Sequence, residues 1–353
     1  MNILFLGDDE PHSSARQRAQ ALARCGHCVR HLNPVRSLSP SRVLGKIHYL
    51  TGYAFAAAGI SRQVCRQIAG ERFDLAWVDG GATVSRELVL ALRQQCGRVV
   101  NYNLDDPTGQ RDGNFWRTFK QALPAYDLSV VVRDESAAEF LAAGARKVRQ
   151  VYRGYDEVAH AASPVAPADE AKWRAAVVFV GTWMPERGGF MAQLVRAGVP
   201  LAIYGNRWEK APEWNVLRPA WRGPGVLGAD YVKAIQYAQI SLGLVSRGNR
   251  DLHTQRSAEI PFIGGLLCAE RTREHLAMYR DGVEAVFWRD AEECAQKCQW
   301  LLANPSVRHA IVGAGQQRAR ELGLANEATV TRILEHLADV FPAASTRKAV
   351  LCN

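Results

Sequence analysis

The chain has 353 residues, 48% of them hydrophobic, and carries a formal net charge of +9 from 44 Lys and Arg against 35 Asp and Glu. That length leaves room for two domains with separate cores, and no stretch approaches the roughly 20 consecutive apolar residues of a membrane span. The positive balance suits an anionic partner, yet no Lys/Arg block, RNA-binding signature or zinc-finger spacing points to nucleic acid.

The opening MNILFLGDD lacks the basic segment of an export signal, so a cytoplasmic protein with reduced thiols is expected for the eight cysteines. Ile3 to Leu6 reads as a strand. A polar loop with His12 follows, then a helix capped by Ser14 and ending near Gly26, then a strand from Val29 to Leu32. Cys25 and Cys28 copy the letters of a dithiol motif but follow a helix instead of opening one, so no helix N-terminus stabilises a thiolate there. Pro34 to Ala69 reads as one or two helices. Leu75 to Val78 is a strand closing on Asp79-Gly80-Gly81, and Arg98 to Tyr102 one closing on Asn103-Leu104-Asp105-Asp106-Pro107. Adjacent carboxylates at a strand end point apart, so Asp105 and Asp106 do not chelate as a unit. Asp106, fixed by Pro107, is the first candidate for a cleft base and Asp105 the second, with a turn-closing role as the alternative. Leu128 to Val132 and Val148 to Val151 complete the first set of strands, with a helix from Arg133 to Ala143 between them. The Ala/Pro/Ser-rich run that follows Gly154-Tyr155-Asp156 reads as a linker over 158–173, dividing a first domain (1–157) from a second (174–325).

The second half restarts with a buried-type strand, Ala176 to Val180, and a small-residue loop holding Gly181, Thr182, Arg187 and Gly188. The next strand, Leu201 to Tyr204, ends at Gly205, and a helix containing Tyr231 follows Gly228. The pattern sharpens at a strand from Ile240 to Val245, a polar loop, and a helix starting near Thr254. Strand, loop, helix places peptide N–H groups and the positive end of a helix at the carboxyl edge of a sheet, where phosphates bind in open α/β folds. Asp251 and Glu259, eight residues apart, suit the hydroxyls of a sugar and of a ribose, and Arg256 offers a fork donor for phosphate. Cys294 and Cys298, one helical turn apart with no further ligand in metal spacing, are assigned to packing, and no metal site is expected. A last helix, Glu327 to Leu337, sits in a segment 326–345 expected to return to the first domain, ahead of a frayed tail from Ala343 to Asn353.

Arg256, Glu259, Ile260, Pro261, Gly264, Gly265, Glu270, Arg271 and Thr272 form an R-x-x-E-I-P-x-x-G-G…E-R-T pattern. It resembles the donor-binding signature of GT-B glycosyltransferases, in particular the CgeB-like branch, as does N-x-D-D-P at Asn103 to Pro107. The acidic–seven residues–Glu spacing of retaining GT-B enzymes is matched with Asp251 where Glu is usual. The resemblance implies two facing Rossmann-like domains with parallel sheets, a nucleotide-sugar donor (UDP-sugar first) in the second domain, and no metal or other cofactor. It implies that Arg187-Gly188 holds the donor diphosphate, that Tyr231 stacks on the base near Tyr204 and Gly205, and that His12 faces the cleft, where some inverting members place a base. The expected reaction is glycosyl transfer to a hydroxyl of a glycan, lipid or protein, with peripheral contact to an anionic membrane face as an option. Transfer to modified bases in DNA, a nucleotide-sugar 2-epimerase and a non-catalytic nucleic-acid-binding protein are the alternatives.

Overall fold

A computed structural model describes residues 1–341; the expected tail from Ala343 lies outside the described residues. Twelve strands form two all-parallel six-stranded sheets. The first holds β1 (Asn2–Leu6), β2 (Cys28–Leu32), β3 (Leu75–Asp79), β4 (Val99–Tyr102), β5 (Leu128–Val131) and β6 (Val148–Gln150) in the order β2-β1-β3-β4-β5-β6. The second holds β7 (Ala175–Val180), β8 (Leu201–Tyr204), β9 (Trp221–Gly223), β10 (Ala238–Gly243), β11 (Leu267–Glu270) and β12 (Val286–Trp288) in the order β12-β11-β10-β7-β8-β9. The central strands are apolar and buried because helices cover both faces of each sheet, as parallel crossovers require.

Each order reverses direction once, between β1 and β3 in the first sheet and between β7 and β10 in the second. Chains leaving neighbouring strands there run to opposite faces and open a crevice at the carboxyl edge. Both crevices face one cleft, since loops following β1, β4 and β6 line the same cavities as loops following β7 and β10.

Three boundaries differ from expectation. Ser13, not Ser14, caps the first helix (Ser14–Arg24), its Oγ accepting from the N–H of Arg16, because the loop turns one residue earlier. The run read as a linker is ordered: it contains a helix (Pro167–Trp173) whose buried Trp173 packs on Tyr204, ring centres 5.5 Å apart. Its upstream part holds to the second domain through Ser163 and Gln236. Pro167 there marks a helix start, and the segment is held by Trp173 and the Ser163–Gln236 bonds, while its alanines are mostly exposed. The helix expected near Thr254 begins at Arg256 (Arg256–Ile263), which puts Glu259 in its first turn.

The last helix (Asn326–Val340) crosses back to the first sheet, where Val330, Ile333 and Leu337 join a core with Phe5, Trp77 and Tyr102. The crossing is held where Asn326 N–H donates to Tyr155 O (2.9 Å) and buried Asp156 accepts from Arg24 (2.9 Å) and Asn326 (3.2 Å). Removing side-chain volume from that core leaves a cavity, so Ile333→Ala should cost about 2–4 kcal/mol, read as a lower denaturation midpoint by the fluorescence of stacked Trp77.

Candidate functional site

The loop after β10 is the hub of the cleft. Asp251, which enters it after Arg250 at a left-handed φ of +52°, is buried and accepts at Oδ1 from two arginines of the first domain. These are Arg133, which follows β5, and Arg153, which follows β6 and lies 2.9 Å away. Arg153 also donates to the carbonyls of Leu104 and His253, both at 2.7 Å, so one guanidinium ties loops of both domains together. Arg133 titrates below the usual guanidinium value because burial and the charge of Arg153 oppose its proton, with Asp251 compensating. Asp251 is therefore an interdomain clamp, a role that its expected contact with a sugar did not include. Its Oδ2 has no protein partner among the described residues, and the residue lines the cavity.

Asp106 is clamped likewise. Buried, it takes both ends of the Arg250 fork at 2.7 and 2.6 Å, and Arg250 also grips Glu139 at 2.7 Å. Both of its oxygens are thereby engaged by a guanidinium instead of facing an acceptor hydroxyl. Asp105 instead is exposed to the cleft, where desolvation by its surroundings raises its carboxyl above the ordinary carboxylate value despite Arg153 and Arg133. Of the two candidate bases, Asp105 is the one with the environment of a base.

Two adjoining cavities make up the cleft, sharing Ser14, Gln255 and Arg256. The larger, of about 420 Å³, is lined by Asp105, Arg153, Gly181, Thr182, Arg187, Asp251 and Thr254 among others. Arg187 starts a helix (Pro185–Arg196) at the switch point, donates to Thr182 O at 2.8 Å and lies over Phe179. It has no carboxylate within ion-pair distance among the described residues, and burial with the like charge of Arg256 pulls its pKa down to about 10. The Nε of Arg187 and that of Arg256 are both buried without a hydrogen-bond partner. Two guanidinium groups thus line one cavity at the mouth of the β7–β10 crevice, each with a buried Nε that lacks a hydrogen-bond partner, and for Arg187 the charges of Glu186 and Asp251 act only from beyond ion-pair distance.

The smaller cavity, about 160 Å³, is lined by His12, Gln17, His160, Gly228, Tyr231 and Glu259. His12 reaches across from the first domain against Gly228, where φ is +55° and an added Cβ would sit 2.6 Å from the imidazole. Glu259 accepts from the Tyr231 hydroxyl (2.8 Å), and His160 Nε2 lies 3.5 Å from its other oxygen. Since His160 Nδ1 accepts from the N–H of Asp156 (2.9 Å), the ring proton sits on Nε2, facing that carboxylate. His160 went unnoticed in sequence because it falls in the run read as a linker. Tyr231 is not an open stacking platform: Arg256 covers its ring and His160 meets it edge-on. Tyr204 also leaves the site, buried in the core against Trp173, and Gly205 serves the fold, because an added Cβ would lie 1.9 Å from Gly181 O. Gly188 faces Glu213 from within its helix, where a Cβ would come 2.4 Å from the carboxylate.

The helix bearing Arg256 and Glu259 contains Pro261, which removes the N–H that would bond Ser257 O. Tyr279 hydroxyl supplies the missing donor at 2.8 Å. Beneath it, buried His275 donates from Nδ1 to Glu270 O (2.6 Å) and accepts at Nε2 from Ser257 hydroxyl (2.7 Å). Among the described residues, the one group of three metal-ligand side chains is Cys268, Cys294 and Cys298, whose sulfurs lie within 4.8 Å of one another. They sit in the second-domain core, outside both cavities; Cys268, on β11, is the member that helical spacing did not reveal.

Residues 187–335 match a protein-family model described as "Glycosyl transferase-like". Solved structures match almost the whole chain. Sucrose-phosphate synthase from Thermosynechococcus elongatus aligns with a TM-score of 0.71 at 14% identity, over 98% of this chain and 100% of that one. HepE from Anabaena in complex with UDP-glucose aligns at 0.66 and 13%, over 96% and 100%. The trehalose 6-phosphate synthase from Burkholderia multivorans aligns at 0.62 and 14%, over 96% and 98%. The fold is GT-B. With the family match, it supports a glycosyltransferase of the GT-B type, and the matched span contains Arg187, Arg256 and Glu259. No curated protein sequence matches the chain.

Burial holds the His275 pKa near 4, against 6.5 for the free ring, so the native ring stays neutral where the unfolded one gains a proton. That stability is fully present above about pH 6.5 and declines as the pH falls toward 4, by about 3 kcal/mol if the whole shift is expressed. Thermal midpoints should fall over this window, and His275→Asn, less stable at neutral pH, should show a flatter profile.

Proposed function

We propose that this chain moves a glycosyl unit from a nucleotide-sugar, a UDP-sugar in the first instance, to an acceptor hydroxyl without a bound cation. It would act in the cytoplasm, as a member of the CgeB-like branch of GT-B. Residues 174–325 hold the donor and 1–157 the acceptor. The observation that carries this reading is the pair Arg187 and Arg256 at the β7–β10 switch point, whose buried Nε atoms have no hydrogen-bond partner among the described residues. A diphosphate supplies the acceptors they lack, and two fixed guanidinium groups stabilise the charge that grows on it as the sugar departs. The cleft carboxylates Asp251 and Asp106 are already bound by arginines, which makes them unsuited to holding a divalent ion. A UDP-glucose complex of HepE, which has the same fold, adds support for the donor class.

In this reading Glu259, steadied by Tyr231 and His160, accepts from ribose hydroxyls, and Asp251 Oδ2 from the sugar. The acceptor oxygen forms its bond to the anomeric carbon while the bond from that carbon to the diphosphate breaks. Asp105 takes the acceptor proton. Closing both domains around the substrates excludes water that would otherwise hydrolyse the donor.

A UDP-sugar at 100 times its dissociation constant should raise stability by about 2.7 kcal/mol. Arg187→Ala and Glu259→Ala should each remove most of that thermal shift, and an unchanged shift in both places the donor elsewhere. Asp105→Asn should keep the shift and lose at least 100-fold in turnover with the best acceptor. Wild-type turnover should drop on acidification through the raised Asp105 pKa, as the base becomes protonated.

A further inference from the structure

Residues 11–70 contain no Asp or Glu, but nine Lys and Arg. The other 35 basic residues of the chain balance its 35 acidic ones, so the net charge of +9 resides in this one stretch. Arg18, Arg24 and Arg36 are paired with acids from elsewhere, whereas Arg42, Lys46, Arg62 and Arg66 form no ion pair among the described residues. Charge and exposed apolar surface coincide here. The helix Arg42–Thr51 buries none of its residues. At 100° per residue, Val43, Ile47 and Leu50 make one stripe with Lys46 and Arg42 beside it, and their exposures are 69%, 40% and 57%. Phe55, just beyond, is 79% exposed. The opposite side anchors the helix: Tyr49 and Tyr53 meet Phe115, ring centres 5.0 and 5.6 Å apart, and His48 stacks on Tyr53.

A helix with this arrangement lies in the interface plane of a bilayer, with apolar side chains among acyl groups and cations among headgroups. Each basic residue near an anionic surface adds about 1 kcal/mol, falling off within a Debye length. We infer that the Arg42–Thr51 face with Phe55 docks on an anionic lipid bilayer. A groove of about 540 Å³ leads inward from this helix, lined by Tyr49, Arg111, Trp183, Met184, Arg207 and Ser246 among others. Met184 and Ser246 also line the larger cleft cavity, so groove and cleft are continuous. An acceptor resident in the bilayer would reach the cleft along a wall of apolar side chains with Arg111, Arg207 and Arg247, which outnumber the carboxylates Asp112 and Glu186 there and suit a lipid phosphate. This last step rests on the function proposed above; the docking itself does not.

The test is co-sedimentation of the full chain with vesicles of phosphatidylcholine containing 30% phosphatidylglycerol, against phosphatidylcholine alone. Binding to the anionic vesicles should exceed binding to neutral ones at least tenfold, fall at high salt, and drop at least tenfold in the double variant Ile47→Glu, Leu50→Glu. Both substitutions are at exposed positions, so the variant should keep the wild-type melting temperature and UDP-sugar thermal shift, which separates failed docking from a failed donor assignment. Absence of binding to anionic vesicles at low salt, or equal binding by the variant, overturns the inference. So does a wild-type dimer that the same variant makes monomeric, which would give the face to a second copy of the chain.

Discussion

Charge held out of water across two domains is the constraint on which the cleft depends. Asp251 belongs to the second domain, but both of its arginine partners belong to the first. Removing any member would leave an uncompensated charge in a poorly solvated place, which costs far more than the intact cluster contributes. Arg250 repeats the device a residue away with Asp106 and Glu139. The two clamps join the loop after β10 to the ends of β4, β5 and β6, so the domains approach each other where the substrates must meet.

The clamps also explain a division of labour among the arginines. Those facing the domain boundary are neutralised by carboxylates. Those lining the switch-point crevice, Arg187 and Arg256, have no carboxylate in ion-pair distance among the described residues, and burial, then the like charge of Arg256, lowers the pKa of Arg187. Folding tolerates such a perturbation where a ligand relieves it, which is why perturbed groups gather in binding clefts.

Much of this was readable in sequence and some was not, for reasons that separate cleanly. Nine of the twelve strands are readable as short runs closing on glycine or a turn, most of them apolar because central parallel strands are buried on both faces, whereas β9, β11 and β12, of three or four residues each, are not. The strand, loop and helix expected to hold the donor were readable because their spacing is local: Arg256 and Glu259 share one helical turn. Pairings between distant segments carry no local pattern. Nothing around Arg133, Arg153 or Arg250 says that each will cross the cleft, and that is what removed Asp106 from the role of base. His160 was hidden by its neighbours, since alanine and proline read alike in a flexible linker and in a packed strap. Tyr204 misled because its position at a strand end suits a ligand contact, while Trp173, supplied by that same strap, turns it into core.

The shorter acid at position 251 fits the clamp. A glutamate would extend further toward a sugar from the second domain alone, whereas aspartate keeps its carboxylate back, where arginines arriving from β5 and β6 can take Oδ1. Each arginine belongs to the first domain, so the position of this carboxylate depends on both domains, and the loop after β10 is tied to the ends of β5 and β6 through this shorter side chain. Under the function proposed here, that dependence couples the side of the cleft expected to hold the donor to the domain expected to hold the acceptor.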